Sequence, residues 1–111
     1  MPGLEDVASR LRGLGFSVRI DGVEYVSLTG GRVREDRLVA VSSDGLVKLT
    51  LSTTGGSYRL TVLAHGGRAS RSLADTLEGL GGSVDYEEDR VLAVFRLSSL
   101  SEARRIIEAI Y

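Results

Sequence analysis

Residues 8–20 read ASRLRGLGFSVRI, and residues 74–86 read ADTLEGLGGSVDY. Both stretches begin with apolar residues at helical spacing, stop at a Gly-Leu-Gly and continue with alternation of period two. Glycine ends a helix readily because it enters the left-handed region without a steric penalty. Each stretch is therefore a helix running into a strand. At a constant offset of 66, Ala8, Leu11, Gly13, Leu14, Gly15, Ser17 and Val18 meet identical residues. The match fits a duplicated helix–hairpin unit and equally a shared solution to one local junction.

Outward from these junctions, Leu4, Val7, Ala8, Leu11 and Leu14 recur at helical spacing and give the first helix an apolar face. Glu5 and Asp6 at its start and Arg10 and Arg12 at its end complement the macrodipole. The strand from Phe16 to Ile20 reaches Asp21-Gly22, a two-residue hairpin signal, and a second strand is expected over Val23 to Thr29. Gly30-Gly31 ends it, and the charged run RVREDR at 32–37 reads as a connection. Two strands flank Asp44-Gly45, Leu38 to Ser42 and Leu46 to Ser52, and Thr53-Thr54-Gly55-Gly56 turns into a fifth, Tyr58 to His65. A second helix carries Ala69, Leu73, Ala74, Leu77 and Leu80. Strands over Ser83 to Glu87 and Arg90 to Leu97 follow, joined by an acidic turn. The last helix opens at Ser99 with Glu102 at capping-box spacing.

The expected order is α-β-β-β-β-β-α-β-β-α: an α+β domain over residues 1–111, with a mainly antiparallel sheet of about seven strands and three helices on one face. Hydrophobic residues make up 42% and charged residues 26% of the 111, which argues against disorder. A net charge of -1 supplies no broad basic field for nucleic acid. No leader pattern and no apolar run of membrane-spanning length is present, so a cytoplasmic location is expected. Asn, Gln, Cys and Trp are absent and the only methionine is Met1; scarcity of the thermolabile types Asn, Gln, Cys and Met predicts a thermophilic, archaeal source. Lys48 is the only lysine, a bias that fits a GC-rich genome as well as an ion-paired surface.

With no cysteine and a single histidine, thiol catalysis, thiolate metal sites and His-rich metal sites are excluded. No Gly-x-Ser-x-Gly elbow accompanies the serines. The carboxylates Asp85, Glu87, Glu88 and Asp89 lack the spacing of a calcium loop and read as a solvated turn. Arg32, Arg34 and Arg37 lack interleaved aromatics for base stacking, so RNA binding is not indicated. No catalytic residue, metal or cofactor is assigned.

One local feature suggests a ligand. His65-Gly66-Gly67-Arg68-Ala69-Ser70-Arg71 lies at a strand-to-helix junction, where free amides and close backbone approach favour an anion. Arg68 and Arg71 oppose the macrodipole there, while Asp75 and Glu78 oppose it at the other end. The candidate ligand-binding set is His65, Gly66, Gly67, Arg68, Ser70 and Arg71. The blander reading is a turn, a serine cap and surface ion pairs, and it predicts that Arg68 or Arg71 pairs with the turn Glu87-Glu88-Asp89.

Two resemblances are local. The segment Tyr58 to Tyr111, with Leu97-Ser98-Ser99-Leu100-Ser101-Glu102-Ala103-Arg104 as its nearest likeness, resembles the small dimerising subunit of the KEOPS tRNA-modification complex. The polar residues that follow Ala-Arg in that family are not matched at Arg105 to Glu108, and the first half of the chain has no counterpart. Leu11 to Val26 is similar to a helix-LGF-strand junction of TATA-binding protein repeats. Neither assigns a family.

The expected function is a non-catalytic interaction module, a homodimer or a subunit of a larger protein or protein–RNA assembly. Leu63, Leu92 and Val94 alternate outward on a helix-free sheet face, and such residues call for a partner. The alternative is a small anionic-ligand or phosphate-binding domain using the Gly66-Gly67-Arg68 junction.

Overall fold

The computed structural model describes residues 3–54 and 56–111. Along the chain run α1 (Leu4–Gly13), β1 (Ser17–Val26), β2 (Arg32–Val41), β3 (Val47–Thr54) and β4 (Ser57–His65). A 3-10 turn at Gly66–Arg68 leads to α2 (Arg71–Gly79), β5 (Ser83–Glu87), β6 (Arg90–Leu97) and α3 (Leu100–Ile110). The strands form one sheet in the order β1-β2-β3-β4-β6-β5, with every neighbouring pair antiparallel.

The α+β class and the three helices are as the sequence implies, but among the described residues the sheet has six strands rather than seven. The difference arises at Asp21-Gly22, which does not turn. Gly22 has no positive φ and pairs with Asp36 in mid-ladder, so β1 is one ten-residue strand. The run RVREDR is not a connection either, because Arg32 to Arg37 form the first half of β2. The turn lies instead at Ser27–Gly31, where Gly30 takes φ +87°. There the Ser27 amide donates to the Gly31 carbonyl at 2.8 Å and the Gly31 amide to Ser27 Oγ at 3.2 Å. The hairpin signal at Asp44-Gly45 is realised, with Gly45 at φ +74°. The turn expected at Thr53-Thr54-Gly55-Gly56 includes Gly55, which lies outside the described residues; Thr54 pairs with Ser57 across it.

One apolar core lies between the helices and one side of the sheet. Leu38 and Ala40, Leu49 and Leu51, Leu60 and Val62, and Ala93 and Phe95 alternate into it from the four central strands. Leu11, Leu77, Ile106 and Ile107 meet them from the helices. Burying each leucine or isoleucine stabilises the fold by about 1.5–3 kcal/mol. No residue of the opposite parity on these strands is buried, so all three helices cover the same face.

The two junctions that opened the sequence reading have one geometry. Gly15 and Gly81 have φ +94° and +99°. Their amides donate to the Arg12 and Glu78 carbonyls, each at 3.0 Å. Each following amide, of Phe16 and Gly82, donates to the Leu11 and Leu77 carbonyls, again at 3.0 Å. The strands that follow differ, since β1 has 10 residues and β5 has 5. They occupy opposite edges of the sheet.

Beyond Ile20 the β1–β2 hairpin leaves the helices behind. Val23, Tyr25, Val26 and Leu28 are exposed, and this projecting ribbon contributes to overall extents of 44 × 29 × 22 Å.

Candidate functional site

At the strand-to-helix junction, β4 ends at His65 and the 3-10 turn carries Gly66, Gly67 and Arg68. Gly66 needs its φ of +55°, and its amide donates to the Asp89 carbonyl at 2.9 Å. The backbone of the acidic turn therefore does lie at this end of the domain. The side-chain pairing expected there is corrected by the structure. Arg68 Nε donates to Asp44 Oδ2 at 2.8 Å, reaching the β2–β3 turn. Arg71 lies 4.0 Å from Asp75 on its own helix and stacks 5.9 Å from the Tyr86 ring. Glu87 is taken by Arg90 at 3.3 Å. Ser70 caps α2, its Oγ accepting from the Leu73 amide at 3.1 Å, and His65 points to the helix-free face, exposed.

The carboxylate facing Arg68 is tightly held. Ser42 Oγ donates to Asp44 Oδ1 at 2.6 Å and the Leu46 amide donates to the same oxygen at 3.0 Å. The Ser42 bond, then the Leu46 bond, with Arg68 adding its charge, hold the Asp44 carboxyl at about 2 against an ordinary 3.8. Close by, Tyr111 packs edge-on against Phe16 with ring centroids 5.3 Å apart. Burial pushes its phenol above 10.0, with Arg68 opposing the rise. The junction thus brings Arg68 to a fully engaged carboxylate and leaves Arg71 on the outer surface. His65, Gly66, Gly67, Arg68, Ser70 and Arg71 do not converge on one cavity lined by them.

The helix-free face has a different character. In register across it stand Val41, Lys48, Leu63 and Leu92, and in the next row Val39, Thr50, Thr61 and Val94. Leu63 is directly opposite Leu92 and next to Val94, so these three form a continuous apolar patch, half-buried and uncovered. A third row runs Asp21, Arg37, Ser52, Arg59 and Arg96. Glu35 holds Arg37 at 3.3 Å. Among the described residues neither Arg59 nor Arg96 makes an ion pair, although they are direct cross-strand neighbours. They edge a depression of about 360 Å³ together with the hydroxyls of Ser52, Thr54 and Ser57.

In the sequence the arginines of 32–37 stand out as a cluster, and this pair does not. Arg59 and Arg96 lie 37 positions apart, and only the β4–β6 register makes them neighbours. The available signal was their alternation with Leu63 and Leu92, which places both on the outward side of their strands.

Among the described residues no group of three or more His, Asp or Glu side chains is arranged to hold a metal ion, and no helix is long and apolar enough to cross a membrane. Comparison with protein-family models, with curated proteins and with solved structures finds no match to this chain.

Proposed function

We propose that this chain is a non-catalytic interaction module that pairs with a second copy of itself through the helix-free face of its sheet. The observation that carries the reading is the uncovered patch of Leu63, Leu92 and Val94 on the β4 and β6 strands of that face. The size of the face supports it. With six strands, about 4.8 Å spacing and strands of about eight residues, the face measures roughly 24 by 27 Å, or about 650 Å² per copy. A stable interface commonly takes about 800 Å² from each partner, so a second copy needs little beyond this face. The pattern suits a twofold contact: an apolar patch flanked by charged Arg96 and, on the edge strand, Asp85. On the same reading the two helix–hairpin units at opposite sheet edges are copies of one ancestral unit.

The anion-binding alternative at Gly66-Gly67-Arg68 has less support, because Asp44 already engages Arg68 and the Asp89 carbonyl takes the Gly66 amide. Light scattering over a wide concentration range tests the proposal. A dimer that Leu92→Glu converts to a folded monomer supports it, whereas a strict monomer at high concentration overturns self-association.

A further inference from the structure

We infer that Arg59 and Arg96, with the hydroxyls of Ser52, Thr54 and Ser57, form a binding site for a phosphate group on the open face of the sheet. Like charges directly opposite each other across strands destabilise a sheet unless something neutralises them. Here β4 and β6 place two guanidiniums opposite each other on one face. The chain has more acidic than basic residues, yet among the described residues none of those carboxylates pairs with either arginine. Nine of the thirteen arginines pair locally, among them Arg19 with Asp21 at 2.9 Å, Arg34 with Asp36 at 3.2 Å and Arg68 with Asp44 at 2.8 Å; among the described residues Arg32 and Arg105 also lack an ion pair, but only Arg59 and Arg96 stand opposite each other across strands. The unpaired couple is a departure from that habit, and a departure of this kind marks a functional place.

What surrounds the couple decides the ligand class. Guanidinium forks donate two parallel hydrogen bonds to an oxyanion, and phosphate offers the acceptors to satisfy both at once. Ser52 stands next to Arg59 in register, and Thr54 and Ser57 close the same depression, so further donors surround the same space. About 360 Å³ accommodates a phosphate or pyrophosphate with its water. Tyr58 and Leu97 complete the lining, but both pack against the core, so the guanidiniums and hydroxyls rather than a stacking ring define the recognition. This site lies on the same face, one row away from the apolar patch, so a second copy covering the whole face would also cover the arginines, and the titration is repeated on the monomeric Leu92→Glu variant.

The test is a titration of the whole chain with pyrophosphate, followed by backbone amide chemical shifts. Binding at millimolar pyrophosphate, with shifts centred on Ser52, Thr54, Arg59 and Arg96, is the expected result. The double substitution Arg59→Ala with Arg96→Ala abolishes it, while Arg68→Ala leaves it in place. Removing two repelling charges from an exposed face keeps the double variant folded, and its melting temperature reports this. An oligouridylate binding at least about tenfold more tightly than pyrophosphate, with a steep salt dependence, identifies a nucleic-acid phosphodiester as the source. Equal or weaker oligonucleotide binding identifies a small phosphorylated molecule. No shifts in either the native chain or Leu92→Glu, or shifts that persist in the double variant, overturn the site. So does a double variant that loses only dimerisation, since the arginines then serve carboxylates of the second copy. Failure of the dimer itself is read separately, by Leu92→Glu.

Discussion

Gly82 backs directly onto the ring of Phe95: a Cβ there would come within 2.6 Å of Cζ and 2.8 Å of Cε2, with the Leu77 carbonyl oxygen at 3.1 Å. Phe95 is buried, so its ring has nowhere to go. At the matching position of the first junction, Phe16 supplies its own ring to the core. Gly82→Ala reduces the freedom of the unfolded chain, a gain of about 0.4–1 kcal/mol, but overpacking costs about 1–3 kcal/mol and wins. Urea unfolding should show net destabilisation, and a smaller loss when the substitution is made in a Phe95→Leu background. An unchanged midpoint in the native background refutes the contact.

Acid should reveal Asp44. Its carboxyl is held at about 2 in the folded chain against 3.8 for the free group, so folding favours the charged form. That contribution is complete above about pH 4 and is lost as the pH falls toward 2. Asp44→Asn should flatten this part of the stability curve. Ser42 and Arg68 both favour the charged carboxylate, so Ser42→Ala and Arg68→Ala should each raise the Asp44 pKa. Carboxylate titration by NMR checks this, and an Asp44 pKa unchanged in both variants contradicts the arrangement.

Two glycines of the first hairpin should respond differently to alanine. Gly30, at φ +87°, turns the chain, and a side chain there costs about 1–2 kcal/mol. Gly22 lies in the ladder, where a Cβ would meet Asp36 Oδ1 at 3.1 Å and an Arg34 nitrogen at 3.3 Å, both ends of exposed side chains able to shift. Comparable losses at the two positions would restore Asp21-Gly22 as the turn. Thermal melts of Gly30→Ala and Gly22→Ala make the comparison.

Ser70 has a structural assignment that separates it from a ligand contact. As the cap of α2 it is worth about 1 kcal/mol, so Ser70→Ala should lower stability by that amount and Ser70→Asp should largely retain it. Full stability in Ser70→Ala would remove the cap from the account.

Much of this fold was legible because burial writes periodicity into sequence. The helices carry apolar faces into one core, and Leu60, Val62 and Ala64 alternate beneath them. The reading failed where that force is absent. In the outer half of the first hairpin neither sheet face is covered, so Arg32, Arg34 and Asp36 line one side and Glu35 and Arg37 the other. With charges on both sides of its first half, β2 hides its period despite Val33, and on β1 a glycine after an aspartate passes for a turn. The capping box was half right for a related reason. Ser99 Oγ accepts from the Glu102 amide at 3.4 Å, but Glu102 reaches back to Ser98, whose hydroxyl donates to it at 2.8 Å. Spacing names the partners within a turn and does not choose between adjacent ones. At the site, glycines and arginines flagged the junction at 66–71, while the pair formed by Arg59 and Arg96 exists only through strand order.

The uncovered outer half of the β1–β2 hairpin gives a single strand two regimes of solvent exchange. Val18 and Ile20 pack against the core, so opening them means disturbing the domain. Glu24 to Val26 lie in a two-stranded ribbon beyond the end of β3, a unit that is marginal in water by itself. Their amides should trade deuterium by local fraying, well ahead of those of Leu49 or Val62, and a protease should nick the exposed tip around Leu28 while the rest of the chain stays folded.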